Sequence, residues 1–129
     1  MKFKSAIMLL VGVAIGGLSV SGLNAQKKDA GAYAIVQFSD FGDPAAFKTN
    51  VGAPSPAVVQ KHGGHFVART DTVTVLRGEN PPLTRYVIIG FDSVQQAKGW
   101  WDSDDWKPIR TYLEQKTKGR AFVVEAASQ

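Results

Sequence analysis

Phe91 to Arg110, FDSVQQAKGWWDSDDWKPIR, closes one strand, places two adjacent tryptophans on a capped helix and opens a second capped helix. A strand that hands over to two short helices and then to a last strand in RAFVVEA leaves few layer arrangements open. Asp92 or Ser93 suits the first cap, and Val94, Ala97 and Trp100 or Trp101 then share a face. Ser103 or Asp104 suits the second, with Trp106, Ile109 and Leu113 on a buried stripe and Pro108 in the first turn.

Upstream, YAIVQF from Tyr33 to Phe38 is β-branched and aromatic and stops at Ser39-Asp40, which predicts the first strand. Asp43-Pro44 starts a helix whose Phe47, Val51 and Val58 share a face. Gly52, Pro54 and Pro56 interrupt it, predicting a kink or two short helices, the second capped by Ser55. Gly63-Gly64 suits a left-handed helix stop. HFVARTDTVTVLR, His65 to Arg77, reads as a long strand with a break near Thr70-Asp71, and GENPP turns it into a third strand, Leu83 to Phe91. The order strand, helix, two strands, helix, strand predicts a ferredoxin-like α+β fold, βαββαβ, with a four-stranded antiparallel sheet and helices on one face.

A sheet covered on one side should alternate apolar with polar residues. Here Tyr33 and Ile35 oppose Ala34, Val36 and Phe38; Tyr86 and Ile88 oppose Val87, Ile89 and Phe91; Phe122 and Val124 oppose Ala121 and Val123. Both faces are apolar and the helices can cover only one. An apolar sheet face of this size is an interaction surface, so a homodimer with two sheets packed face to face is expected.

The first 25 residues follow a different rule. Lys2 and Lys4 precede an apolar run from Ala6 to Val20 and then SGLNA, the layout of a secretory signal peptide cleaved after Ala25. An uncleaved anchor is the competing reading, weakened by four glycines and two serines between Gly12 and Gly22. Export to the periplasm or beyond is therefore expected, with 26–31 as a linker, 32–127 as one domain and no membrane segment after cleavage. The chain has no cysteine, which excludes disulfides, thiolate nucleophiles and cysteine metal sites. Of 15 Lys and Arg, two go with the signal, leaving 13 against 11 Asp and Glu. That balance gives no footing for nucleic-acid binding.

YAIVQF with its capped helix, KHGGHFVAR, RYVIIGFDS and FDSVQQAKGWWDSDDW together resemble domain-of-unknown-function family 1330, a branch of the dimeric α+β barrel superfamily. The resemblance spans about Ala32 to Ala126. It implies the fold and the dimer and no established activity.

Residues able to carry chemistry are few. His62 and His65 are the only histidines, and the glycines between them aim them too loosely for a metal site. No GxSxG elbow and no Gly-rich strand-to-helix turn is present, and neither a metal nor a cofactor is expected. Asp102, Asp104 and Asp105 read as helix-start carboxylates. In a regular strand His65 and Arg69 share a face about 13 Å apart and would flank a cavity that Trp101 could also line. An arginine on an apolar strand needs a partner or an opening to solvent, so Arg69 is either a ligand anchor or half of an interface salt bridge. The expected function is binding of a small apolar or aromatic molecule between sheet and helices, with catalysis open; a non-catalytic homodimeric interaction module of the cell envelope is the alternative.

Overall fold

The computed structural model describes residues 29–79 and 84–128. The expected signal peptide and its cleavage point lie outside the described residues, as do residues 26–28 of the expected linker.

Four strands form one antiparallel sheet: β1 (Ala32–Ser39), β2 (His65–Thr70), β3 (Arg85–Phe91) and β4 (Lys118–Glu125), in the order β2-β3-β1-β4. This is the ferredoxin-like order, with β1 and β3 central and the helices on one face. The alternation read from the sequence holds in β1, where Ala32, Ala34, Val36 and Phe38 are buried and Tyr33, Ile35 and Gln37 are half-buried.

Asp43 caps α1 (Pro44–Phe47), its carboxylate accepting the N–H groups of Ala45 and Ala46 at 3.3 Å each. The helix widens at once into a π-helical segment, Lys48–Gly52, and resumes as α2 (Ser55–Lys61), the two short pieces that the prolines predict. Ser55 does not cap α2. It is buried, and its hydroxyl donates back to the Val51 carbonyl, so Val51, Ser55 and Val59 form the buried row and Val58 lies at its flank.

The end of α2 is a Schellman turn: Gly63 N–H donates to Gln60 O at 3.0 Å and Gly64 N–H to Val59 O at 2.9 Å, with Gly63 left-handed at φ +84°. Ser93, rather than Asp92, caps α3 (Val94–Trp101) by accepting the Gln96 N–H, while the Gln96 side chain accepts the N–H of Asp92. The Ser103 hydroxyl accepts from Trp106 N–H ahead of α4 (Lys107–Lys116).

Phe91, Trp100 and Trp106 pack in succession, with ring centroids 5.3 and 4.6 Å apart, and with Ile109, Leu113 and Val59 they form the core between sheet and helices. Dispersion over rings packed this closely, plus the apolar area removed from water, holds the helices on the sheet. The tryptophans that mark the sequence are mainly core.

The expected long β2 is corrected. It stops at Thr70, whose hydroxyl accepts the N–H of Thr72 and turns the chain away. Residues 71–79 form no strand, so TVTVL does not extend β2, and Leu76 is 95% exposed; most of the expected GENPP turn lies outside the described residues. β2 is an edge strand, β3 starts at Arg85, and among the described residues nothing in this sheet pairs with residues 72–76.

Candidate ligand-binding cleft

Strand registers set the inner, helix-facing side of the sheet in rows. One row runs Phe66, Ile89, Ala34, Val123; the next runs Arg69, Val87, Val36, Ala121; the next places Arg85 beside Phe38 and Gly119. Arg69 and Arg85 are therefore diagonal neighbours on one face, with Cα atoms about 7–8 Å apart.

His65 is elsewhere. β2 carries a bulge between Phe66 and Ala68, with Val67 the extra residue, unpaired and 53% exposed. One inserted residue reverses the alternation beyond it. His65 pairs with Gly90 on the outer face, and Arg69 pairs with Val87 on the inner face. The expected common wall of His65 and Arg69 does not form. The His65 ring lies across Gly90, where an added Cβ would come within 2.7 Å of it. Arg69, facing inward, is also turned away from the outer face where an interface salt bridge would form.

Two cavities open between sheet and helices. The first, of about 510 Å³, lies along β4 and is lined by Trp101, Lys98, Asp102, Glu114 and Arg120 among others. Its charges are of both signs. The second, of about 360 Å³, lies under α1 and the π-helical segment. Its walls are Val36, Phe38, Phe47, Val51, Phe66, Val87, Ile89, Trp106 and Leu113, and its charged residues are Lys48, Arg69 and Arg85. No carboxylate among the described residues lines it. Trp101 thus belongs to a different cavity from Arg69, and of the three residues expected to form one site only Arg69 is in the cationic cleft.

Among the described residues neither Arg69 nor Arg85 is paired with a carboxylate. The Arg69 guanidinium stands 4.5 Å over the Phe66 ring, and that of Arg85 lies 5.9 Å from the Phe41 ring. Arg85 Nε is buried without an acceptor, as is the indole N–H of Trp106. Arg85 went unremarked in the sequence although the signal is there: it continues the buried alternation of Phe91, Ile89 and Val87.

The other candidates have structural roles. His62 ends α2, and with Lys61 it meets Asp105 at 3.3 and 2.6 Å, joining α2 to the turn before α4. The Lys61 ammonium first, then His62, holds the Asp105 carboxyl below its ordinary range. Asp105 is thus a tie between elements rather than a cap, and Asp102 lies at the end of α3, 3.9 Å from Arg110. No group of three His, Cys, Asp or Glu among the described residues could hold a metal.

Residues 31–127 match the family described as "Domain of unknown function (DUF1330)". The chain belongs to that family. No curated protein matches the DUF1330 chain described here. Among solved structures it resembles SnoaB, a cofactor-independent oxygenase from Streptomyces nogalater, at 20% identity and TM-score 0.54, over 79% of this chain and 97% of that one. It also resembles RPA0582, a protein of unknown function from Rhodopseudomonas palustris, at 14% identity and TM-score 0.56, over 86% and 94% of the two chains. At these identities the likeness shows the ferredoxin-like α+β subunit fold and nothing of the chemistry.

Proposed function

We propose that this DUF1330 protein is an exported homodimer whose cleft between sheet and helices binds a small apolar or aromatic molecule. The observation that carries the ligand reading is the 360 Å³ cavity with apolar walls and a few convergent polar groups. Ligand pockets run from about 300 to 1,000 Å³ and are built this way. A cleft closed by side chains would instead have favoured a purely structural module.

The outer sheet face supports the dimer. Ala68, Ile88, Ile35 and Phe122 form a row across all four strands. The next row holds His65, Gly90, Tyr33 and Val124, and Phe122 and Val124 are 36% and 40% exposed. No helix among the described residues stands opposite them. A second sheet packed there removes this surface from water, at about 25 cal/mol per Å² of apolar area. Export rests on the sequence of residues 1–25. No helix among the described residues is long and apolar enough to cross a membrane.

The test is mass in solution together with a thermal-shift screen of small aromatics and haem on the purified protein. A dimer and a shift with an aromatic ligand are expected, and Ile88→Asp should halve the mass. A wild-type monomer at micromolar concentration refutes the assembly; absence of any shift refutes the ligand reading.

A further inference from the structure

The two arginines of the cleft are on its wall without a counter-charge. The half-buried Arg85 guanidinium needs an acceptor or an anion to offset its lost hydration; among the described residues its Nε has no acceptor and the Phe41 ring lies 5.9 Å from the guanidinium, while Arg69 is exposed. Arg69 lies on the diagonal from it, with Cα atoms about 7–8 Å apart on the same face. Lys48 adds a third cation, and no acid among the described residues lines the cavity. The cavity along β4, where Lys98 and Arg120 are balanced by Asp102 and Glu114, shows that the same fold neutralises a cleft elsewhere.

Resting on the cleft proposed above, we infer that its ligand is an anion: a small apolar or aromatic molecule bearing one carboxylate. The carboxylate sits between Arg69 and Arg85, and the apolar skeleton lies against Phe38, Val51 and Ile89. Planar guanidinium forks match a carboxylate in geometry, and charge-assisted hydrogen bonds of this kind are about twice as strong as neutral ones. The apolar walls reject a freely hydrated inorganic anion, which would shed its water there without compensation. Together the features select an amphipathic acid.

Calorimetric titration of the purified protein with 1-naphthoate, the neutral 1-naphthamide and 1-naphthyl phosphate tests this. Naphthoate should bind at least about tenfold tighter than the amide, and its affinity should fall as NaCl rises. Arg69→Gln and Arg85→Gln should each erase most of that preference by weakening naphthoate far more than the amide, and Arg85→Lys should keep part of it; thermal unfolding of each variant checks its fold. Equal binding of acid and amide overturns the anion inference and leaves the cleft reading standing. Binding of none of the three probes overturns both. A preference for the phosphate over the carboxylate, or an acid preference that survives both glutamine variants, overturns the assignment of carboxylate and arginines.

Discussion

Gly63 is where the end of α2 meets the start of α3, and Gly63→Ala has a cost that divides into two parts. The residue sits at φ +84°, and a Cβ built there would lie 2.4 Å from Gln96 Nε2 and 3.0 Å from its Cδ. Holding alanine in the left-handed region costs about 1–2 kcal/mol. Relieving the clash requires the Gln96 amide to rotate away, and it then releases the Asp92 N–H that it accepts at 2.8 Å, a hydrogen bond worth about 0.5–1.5 kcal/mol. Gly63→Ala should therefore destabilise by about 1.5–3.5 kcal/mol. Gln96→Ala alone forfeits only the second part, and in its background Gly63→Ala should cost only the first. The double-mutant cycle should close with a coupling of about 0.5–1.5 kcal/mol. Gly78→Ala is the control: it is left-handed at φ +97° with nothing within 4 Å of its Cβ, and it should behave the same with or without Gln96. Urea unfolding followed by tryptophan fluorescence at fixed protein concentration reads these differences. Strict additivity of Gly63→Ala and Gln96→Ala would refute the assigned contact.

Asp105 should make acid sensitivity local. Its carboxyl is held below the ordinary aspartate value of about 3.9 by Lys61 and then His62. The stability it contributes is thus fully present above that value and lost as pH falls through the lower folded one. Wild type should exceed Asp105→Asn in urea midpoint at pH 6, with the gap closing as pH falls below the ordinary aspartate value and through the lowered folded one, and shrinking in high salt; a gap that widens on acidification would contradict the pairing. Deleting Val67 should leave both halves of β2 in register, since the pairs on either side of it, Phe66 with Ile89 and Ala68 with Ile88, are already consecutive on β3. The variant should fold within about 1–2 kcal/mol of wild type, the cost of a half-exposed valine, and should keep the Arg69-dependent preference for the acid in calorimetry; loss of that preference in a folded deletion variant would show that the bulge itself aims the arginine.

The sequence made legible whatever depends on a residue and its near neighbours. Asp43 before Pro44, Ser93 before Val94 and Gly63 after His62 act within one helical turn, and the order of elements and the double apolar sheet face follow from period-two counting in the central strands. Counting failed on β2, for a physical reason. β1 and β3 are paired on both sides, and a slip there would move every buried side chain to the wrong face. β2 is paired on one side only, and edges are where bulges are tolerated. A single unpaired residue, Val67, left the sequence looking regular while separating His65 from Arg69 by the thickness of the sheet. The same one-sidedness left TVTVL, strand-like in composition, without a partner once Thr70 had turned the chain.

That failure changes what the cleft is. With His65 and Arg69 on one wall, a titratable base would stand beside an anchor, as a proton-transfer site requires. With the bulge, the inner wall holds two arginines and no base between them, and the histidine is carried to the outer face, where the second sheet is proposed to pack. The cleft thereby reads as a place that recognises charge, and the closest titratable base to any bound acid must come from outside the row that holds Arg69. A DUF1330 chain lacking the extra residue but keeping its arginine one position nearer the strand start would preserve the same inner row. Strand parity, rather than the spacing of the two residues along the chain, is what such chains must share to bind the same acid.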